Sequence, residues 1–507
     1  MKRTSDRPAT RIACFAASPL RTEGVRMGVG RRRLAAALTA VALFAGGCGN
    51  KLLDQAPARD PDKTMPGDFG KLAGDSGSQT SVAAQAQWDA FFSDADLKAL
   101  IEEALDNNQE LNMQLQEIII TRNEIAAKRG DYLPSLGAGV GGGVEKVGRY
   151  SSQGVSDELH GVPANLPNLH FGFSAAWEID IWGKLRNAMK SAKNRYLASI
   201  EARNFIVTQI VAEIAEAYYE LVALDNQIEV LDRNIALQSD ALEIVKLKKE
   251  AARATELAVQ RFQAEVLKNQ AHRFALEQRR IEAENRINFL VGRYPQPVKR
   301  NPAAFNAAPP RIYTGVPSEL LANRPDIRQA ELELEASKLD VKVAKARFYP
   351  SLSIEAGVGY DSFNMRHLVA TPQSLAYNVA GNLMAPLLNR AAIKADYRAA
   401  NAAQIRAVYN YERTILLGYT EVANNLAKIE NLRNEYERLA EQVAKLQAAI
   451  EVSSVLYDAA RADYMEVLLT RRDSLDAEME LIETKKDQLL AVVKVYQALG
   501  GGWRKPK

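Results

Sequence analysis

The chain has 507 residues, 65 Lys and Arg against 62 Asp and Glu, a formal net charge of +3, two cysteines and four histidines. Near-neutral charge gives no clustered basic face of the kind that nucleic-acid binding needs, so no nucleic-acid partner is expected. So few thiols and imidazoles leave little material for a metal site, and neither metal nor cofactor is expected.

Arg31, Arg32 and Arg33 precede an apolar run from Leu34 to Phe44, followed by Ala45-Gly46-Gly47-Cys48. A basic region, a short apolar region and small residues read as a secretory signal over residues 1–47. The apolar run is too short to anchor stably across a bilayer. A complete signal could start at Met27, which makes residues 1–26 an over-extended start. Cys48 after small residues resembles a bacterial lipobox, with Ala45 where Leu or Val is usual; a plain signal peptide with a chance cysteine is the alternative. Processing at Cys48 would remove Cys14 and leave no thiol free to pair. Residues 48–87 then form a lipidated linker, rich in Pro, Asp, Gly, Ser and Gln from Lys51 to Ala86. Order is expected from Trp88.

From Asp94 to Lys128 the apolar spacing is helical, with Asp94 as N-cap. The period then becomes two. Leu136, Ala138, Val140 and Val144 alternate with glycines. After a polar loop, Phe171, Phe173, Ala175, Trp177, Ile179 and Ile181 alternate with Gly172, Ser174, Ala176, Glu178 and Asp180. Segments of about ten residues, apolar on one side and polar or small on the other, mark transmembrane β-strands; a half-buried strand of a soluble sandwich is the alternative.

No Gly or Pro occurs from Lys184 to Val291. Ile210, Ile214, Ala217, Leu221, Leu224, Ile228, Leu231 and Ile235 follow a 4,3 spacing, a heptad seam that packs on neighbouring helices. Charge gathers from Lys246 to Arg253, which places a turn between two antiparallel helices there. The first helix, of about 65 residues, would be about 100 Å long.

The pattern then returns. Tyr132-Leu133-Pro134-Ser135-Leu136 recurs as Phe348-Tyr349-Pro350-Ser351-Leu352. Leu352, Ile354, Ala356, Val358 and Tyr360 alternate with polar or small residues, and so do Leu375, Tyr377, Val379, Leu383 and Leu387. Another Pro-free stretch runs from Leu387 to Trp503, interrupted only by Gly418 before the terminal glycines; Leu439, Val443, Leu446 and Ile450 carry its seam. The turns match as well: Ala251-Ala252-Arg253-Ala254 and Ala459-Ala460-Arg461-Ala462. Two periodicities recurring together define a tandem repeat of helix, strand, strand, long helix, long helix. The repeats are expected at 88–300 and 318–503, with a linker at 301–317 and a tail at 504–507. Four membrane strands cannot close a barrel, and an open sheet would leave backbone groups unpaired in hydrocarbon. Three copies pooling strands would give a 12-stranded β-barrel continuous with a 12-helix α-barrel, a fold mainly α with a membrane β portion.

These strings resemble outer-membrane efflux proteins of the TolC/OprM type, in their NodT-like lipoprotein branch. The matching strings include Trp88-x-x-Phe91-Phe92-x-Asp94, Trp177-Glu178-Ile179-Asp180-Ile181-Trp182-Gly183, Asn288-Phe289-Leu290-Val291-Gly292, Arg324-Pro325-Asp326-Ile327 and Tyr496-Gln497-Ala498-Leu499-Gly500. The resemblance implies a homotrimer in the bacterial outer membrane. It would be lipid-anchored, reach into the periplasm, and dock on a periplasmic adaptor and an inner-membrane pump of the RND type. Family members usually close at the second hairpin tip on two acids. Counting from Tyr457, the first falls on Glu466 and the second on Leu469; the first repeat's acid falls on Ala258. Glu466, Arg461 and Asp463 are thus the gate candidates, with Leu469 and Ala258 forming an apolar collar. Solvated charges at a helix turn are the alternative. No constellation for catalysis is present, so the protein is not expected to be an enzyme. Protein secretion through a type I system and a non-porous coiled-coil scaffold are the rival functions, and the cargo is not legible.

Overall fold

The computed structural model describes residues 59–69, 87–306 and 316–504, apart from 389 and 460. All of them belong to one compact unit that begins at Ala58. The signal segment, Cys14, Cys48 and the middle of the inter-repeat linker lie outside the described residues.

Helix α1 (Trp88–Phe91) leads into α2 (Ala95–Asn107), which Asp94 caps by accepting from the Asp96 and Leu97 backbone amides. The other Asp94 oxygen accepts from the buried Tyr218 hydroxyl at 2.8 Å. The helical pattern expected through Lys128 is broken at Asn108. Its amide oxygen accepts from Leu111 N, while its Nδ2 donates to the Leu290 carbonyl at 2.7 Å. An asparagine that offers the backbone a side-chain partner ends one helix and starts the next without disturbing the apolar spacing. Helix α3 (Gln109–Tyr132) follows.

Strand β1 (Ser135–Glu145), the short helix α4 (Ser152–Leu159) and β2 (Leu166–Ile179) come next. In the second repeat β3 (Ser351–Ser362) and β4 (Leu375–Met384) are the counterparts. The four strands form one antiparallel sheet in the order β1-β2-β3-β4. The alternation expected through Ile181 stops at Ile179, because Asp180 turns back to cap the next helix through Leu185 N and Arg186 N. Leu387 likewise lies beyond β4.

Helices α5 (Lys184–Glu250, 67 residues) and α6 (Glu256–Val291) form the first long hairpin. Helices α7 (Leu320–Asn323) and α8 (Pro325–Ala346) open the second repeat, and α9 (Ala391–Asp458, 68 residues) and α10 (Tyr464–Ala498) form the second hairpin. At 1.5 Å per residue α5 and α9 are each about 100 Å long. The seam from Ile210 to Leu231 is buried throughout, joined by Leu475, Leu489 and Val493 of α10. Gly418 stays within α9 rather than interrupting it.

The N-terminal linker departs from expectation. Residues 59–69 already pack on the second repeat, and Phe69 is buried with Leu320, Ile327 and Tyr411.

Candidate functional site

The expected duct would be walled by the sheet and by the long helical hairpins. Strand register fixes which side chains share a face of the sheet. Val140 lies opposite Phe171, and Phe171 opposite Tyr360; Ala138, Phe173, Val358 and Tyr377 form the next row. Leu136, Ala175, Ala356 and Val379 form the third, and Ile179, Leu352 and Leu383 lie on the same face. This face carries no charged residue on any strand. The opposite face has rows such as Gly137, Ser174, Gly357 and Asn378. It also holds Glu145, His170, Glu178, Glu355 and Asp361, with no Lys or Arg. One side suits lipid and the other water, with an acidic bias on the wet side.

Aromatic groups gather where the sheet meets the helices. Trp177 Nε1 donates to the Tyr132 carbonyl at 3.1 Å, and Trp182 Nε1 to Pro350 at 2.8 Å; Trp182 also stacks on Tyr349. Amphipathic rings of this kind settle at a membrane–water interface. Strands β1 and β4 are the two edges, each with a free row of backbone groups, so this sheet is complete only when other strands flank it.

At the far end of the long helices the two hairpins close alike. Arg253 N donates to Lys248 O at 2.7 Å, and Arg461 N to Leu456 O at 2.8 Å. Ala252 takes a positive φ of 54° at the first tip. Arg461, Asp463 and Glu466 are all exposed around the second tip, and Leu469 keeps 39% of its surface. Among the described residues neither Arg461 nor Glu466 forms an ion pair within the chain.

Ala258 corrects the expected collar. It is fully buried with Val245, Phe262 and Leu468. Thr255 caps α6, its hydroxyl oxygen accepting from Ala258 N at 3.2 Å, and the alanine methyl lies in the hairpin core. Ala258 therefore cannot line a duct.

Sequence reasoning missed two cations near the tips. Lys248 lies over the Tyr457 ring at 4.1 Å, linking the first hairpin to the second. Arg471 occupies a seam position between the buried Leu468 and Leu475. It donates to the Leu237 carbonyl at 3.4 Å, its Nε has no partner, and burial pushes its guanidinium pKa down. An arginine at the 3,4 spacing of an apolar seam was the available signal. Among the described residues no His, Cys, Asp and Glu cluster could hold a metal ion, and no helix is long and apolar enough to cross a membrane.

A sheet with one uncharged face, set at the end of long paired helices, is the architecture of an outer-membrane channel protomer. The chain belongs to the outer membrane efflux protein family, whose model matches residues 100–293 and 316–501. It is 27% identical to the pyoverdine export outer membrane protein OpmQ of Pseudomonas aeruginosa, over 92% of this chain and 96% of that one. The cation efflux system protein CusC of Escherichia coli is 25% identical, over 83% of this chain and 89% of that one. In fold it resembles a membrane protein from Pseudomonas aeruginosa, with TM-score 0.79 and 24% identity over 88% of this chain and all of that one. The MtrE outer membrane channel of Neisseria gonorrhoeae gives TM-score 0.77 at 23% identity, over 89% and 98%. The protein is an outer-membrane efflux channel, a helical barrel joined to a β-barrel.

Proposed function

We propose that three copies close head to tail into one duct, which passively carries small molecules outward from a periplasmic adaptor and an inner-membrane pump of the RND type. One observation carries this reading: faces that are buried in one repeat are bare in the other. Asn108 answers to Arg324, Ser191 to Ala399 and Gly292 to Gly500 in the repeat register. Helix α8 packs on both α9 and α5, whereas α3 packs on α5 without a second long helix across from it. Ala336 of α8 is fully buried; its counterpart Ile120 of α3 is 60% exposed. Leu475 and Leu489 of α10 are buried in the α5 core, with Ile482 packed beside them. Their counterparts Leu267, Phe274 and Ile281 of α6, at heptad spacing, are 57%, 68% and 47% exposed. The missing partner of α3 and α6 is α9 of a second copy. A heterologous contact of this kind closes into a ring, and the ring also joins β1 to the next copy's β4.

The test follows from the register. Ser191 Oγ donates to the Ala336 carbonyl at 3.1 Å, so Ala399 of one copy should lie against Ile120 of the next. Ile120→Cys with Ala399→Cys should give a covalent trimer with a short thiol cross-linker, and either single variant only monomers on a denaturing gel. Absence of cross-linking in a folded double variant would overturn this ring.

Tip closure is a second expected result. Three copies bring Glu466, Arg461 and Leu469 together around the duct axis. Exposed ion pairs there are worth about 0–1 kcal/mol each, and a ring of carboxylates favours cations. In planar bilayers Glu466→Ala should lower cation selectivity, and Arg461→Ala should raise resting conductance. Leu469→Asp should raise cation selectivity. Wild-type conductance and reversal potential in all three would place the constriction elsewhere.

The named cargoes of relatives, pyoverdine for OpmQ and toluene for TtgI of Pseudomonas putida, are small molecules. They support efflux over protein secretion. Lipidation at Cys48 completes the reading as an outer-membrane anchor.

A further inference from the structure

The segment after the proposed lipid site has a dedicated receptor on the second repeat. Arg59 pairs with Glu412 at 2.9 Å and lies over the Tyr409 ring at 4.9 Å. Asp62 N donates to the same Glu412 carboxylate, and Gln404 Nε2 donates to the Arg59 carbonyl at 3.2 Å. Lys63 pairs with Glu331 of α8 at 2.6 Å and approaches the Tyr411 ring at 5.4 Å. Phe69 is buried and stacked on Tyr419 at 5.5 Å, and the Tyr419 hydroxyl donates to the Asp68 carbonyl.

The first repeat has no such receptor. The positions equivalent to Tyr409, Tyr411, Glu412 and Tyr419 are Glu201, Arg203, Asn204 and Val211. The aromatic and acidic groups that hold the segment are thus a departure from internal symmetry, present only where the segment lands.

The same register locates the landing site. Glu201 of α5 forms an ion pair with Arg328 of α8 across the contact between repeats. Its counterpart Tyr409 therefore stands at the contact between α9 and α3 of the next copy, beside Asn112, the counterpart of Arg328. Arg59 sits on Tyr409. We propose that residues 59–69 are a strap that fastens the anchor-bearing segment to α9 at the junction between copies, so that seating the strap stabilises the closed trimer. The inference rests on the head-to-tail ring proposed above. An 11-residue step from Cys48 to Arg59 reaches at most about 40 Å when fully extended, so a lipid at Cys48 keeps the strap within that distance of its membrane.

Two features set the strap's physics. Its ion pairs are partly exposed and weaken with salt, whereas the Phe69 contact does not. Loss of Phe69 should therefore matter at every ionic strength, and loss of Arg59 or Lys63 mainly at low salt.

The experiment measures trimer dissociation of full-length protein in detergent by native mass spectrometry across a dilution series. Phe69→Ala should raise the dissociation constant at least tenfold at every ionic strength, and Glu412→Lys at low salt, each with unchanged far-ultraviolet dichroism. Glu331→Lys should do so at low salt, and adding Lys63→Glu should restore much of the loss. Cys48→Ala, with the strap intact, should dissociate like wild type. If the wild type is no trimer, the ring itself fails. If the wild type is a trimer and the strap variants dissociate just as it does, or if Cys48→Ala alone reproduces their loss, the strap proposal is overturned. The charge-swap pair covers the case in which Phe69→Ala misfolds, because its rescue depends on the Lys63–Glu331 contact and not on core packing.

Discussion

Replacing Arg324 by Ala should destabilise the protein by about 3–5 kcal/mol, the cost of leaving a buried ion-pair partner alone. The Arg324 side chain is 5% exposed. Its Nε and Nη2 donate to Asp326 at 3.0 and 2.7 Å, and its Nη1 donates to Glu421 of α9 at 2.7 Å and to the Ala498 carbonyl at 2.8 Å. One guanidinium thus ties the start of α8, the middle of α9 and the end of α10. Gly418 makes room for it, since a methyl there would lie 3.2 Å from Arg324 Cζ. Gly500 closes the same knot with φ of +85°, where a side chain would meet the Asn323 carbonyl at 2.5 Å. Arg324→Lys keeps the charge but loses the fork, and should cost about 1.5–3 kcal/mol. The first repeat solves the same problem differently: Asn108 reaches the Leu290 carbonyl, and Ile210 fills the position of Gly418. Installing that pair as Arg324→Asn with Gly418→Ile should recover part of the stability that Arg324→Asn alone loses. The thermal midpoint of the purified trimer should fall on the order of 10 °C for Arg324→Ala. A midpoint unchanged from wild type would show that the knot contributes nothing net.

How much of this was legible in the chain depends on the range of the interaction. The heptad seam of α5 and the alternation of the strands are local periodicities, and both lie where the spacing put them except at the ends of β2 and β4, which stop short of Ile181 and Leu387. The turns at Ala251 and Ala459 followed from charge and composition. The break at Asn108 did not, because the apolar spacing runs through it and the decisive partner, the Leu290 carbonyl, is remote in sequence. Burial of Ala258 was hidden for a related reason. Family resemblance assigns a position along the chain, but Thr255 capping sets which side of α6 that position faces. The strap was read as a solvated linker because its Pro, Asp and Gly content is that of a linker. Its tyrosine receptor lies more than 300 residues away, and composition carries no trace of such a pairing. Arg324 was noticed as part of a family string, without its structural role.

Phe173→Arg should abolish assembly in the outer membrane, while Ser174→Arg should permit it. The two positions are adjacent on β2 and differ only in the face they take. Phe173 lies between Ala138 and Val358 on the uncharged side; Ser174 lies between Gly137 and Gly357 on the wet side. An arginine facing hydrocarbon near the midplane costs about 2–4 kcal/mol, and a trimer carries three. The resulting penalty of about 6–12 kcal/mol compares with the whole stability of a typical fold, about 5–15 kcal/mol. Ser174→Arg meets water instead, beside glycines that leave room for the side chain. It should leave the trimer intact and change what passes through it. The wet face carries Glu355 and Asp361 of β3 and Glu178 of β2 with no Lys or Arg on the strands. Three added guanidiniums should therefore shift the reversal potential towards anions at low salt, and the shift should shrink as salt screens it. Phe173→Leu, which keeps the apolar face, serves as the control and should assemble normally. Membrane fractionation and heat-resistant trimer on gels read the first effect, and planar bilayers read the second. Equal assembly of Phe173→Arg and Ser174→Arg would mean that the uncharged face does not meet lipid, and the sheet would have to close in the opposite sense.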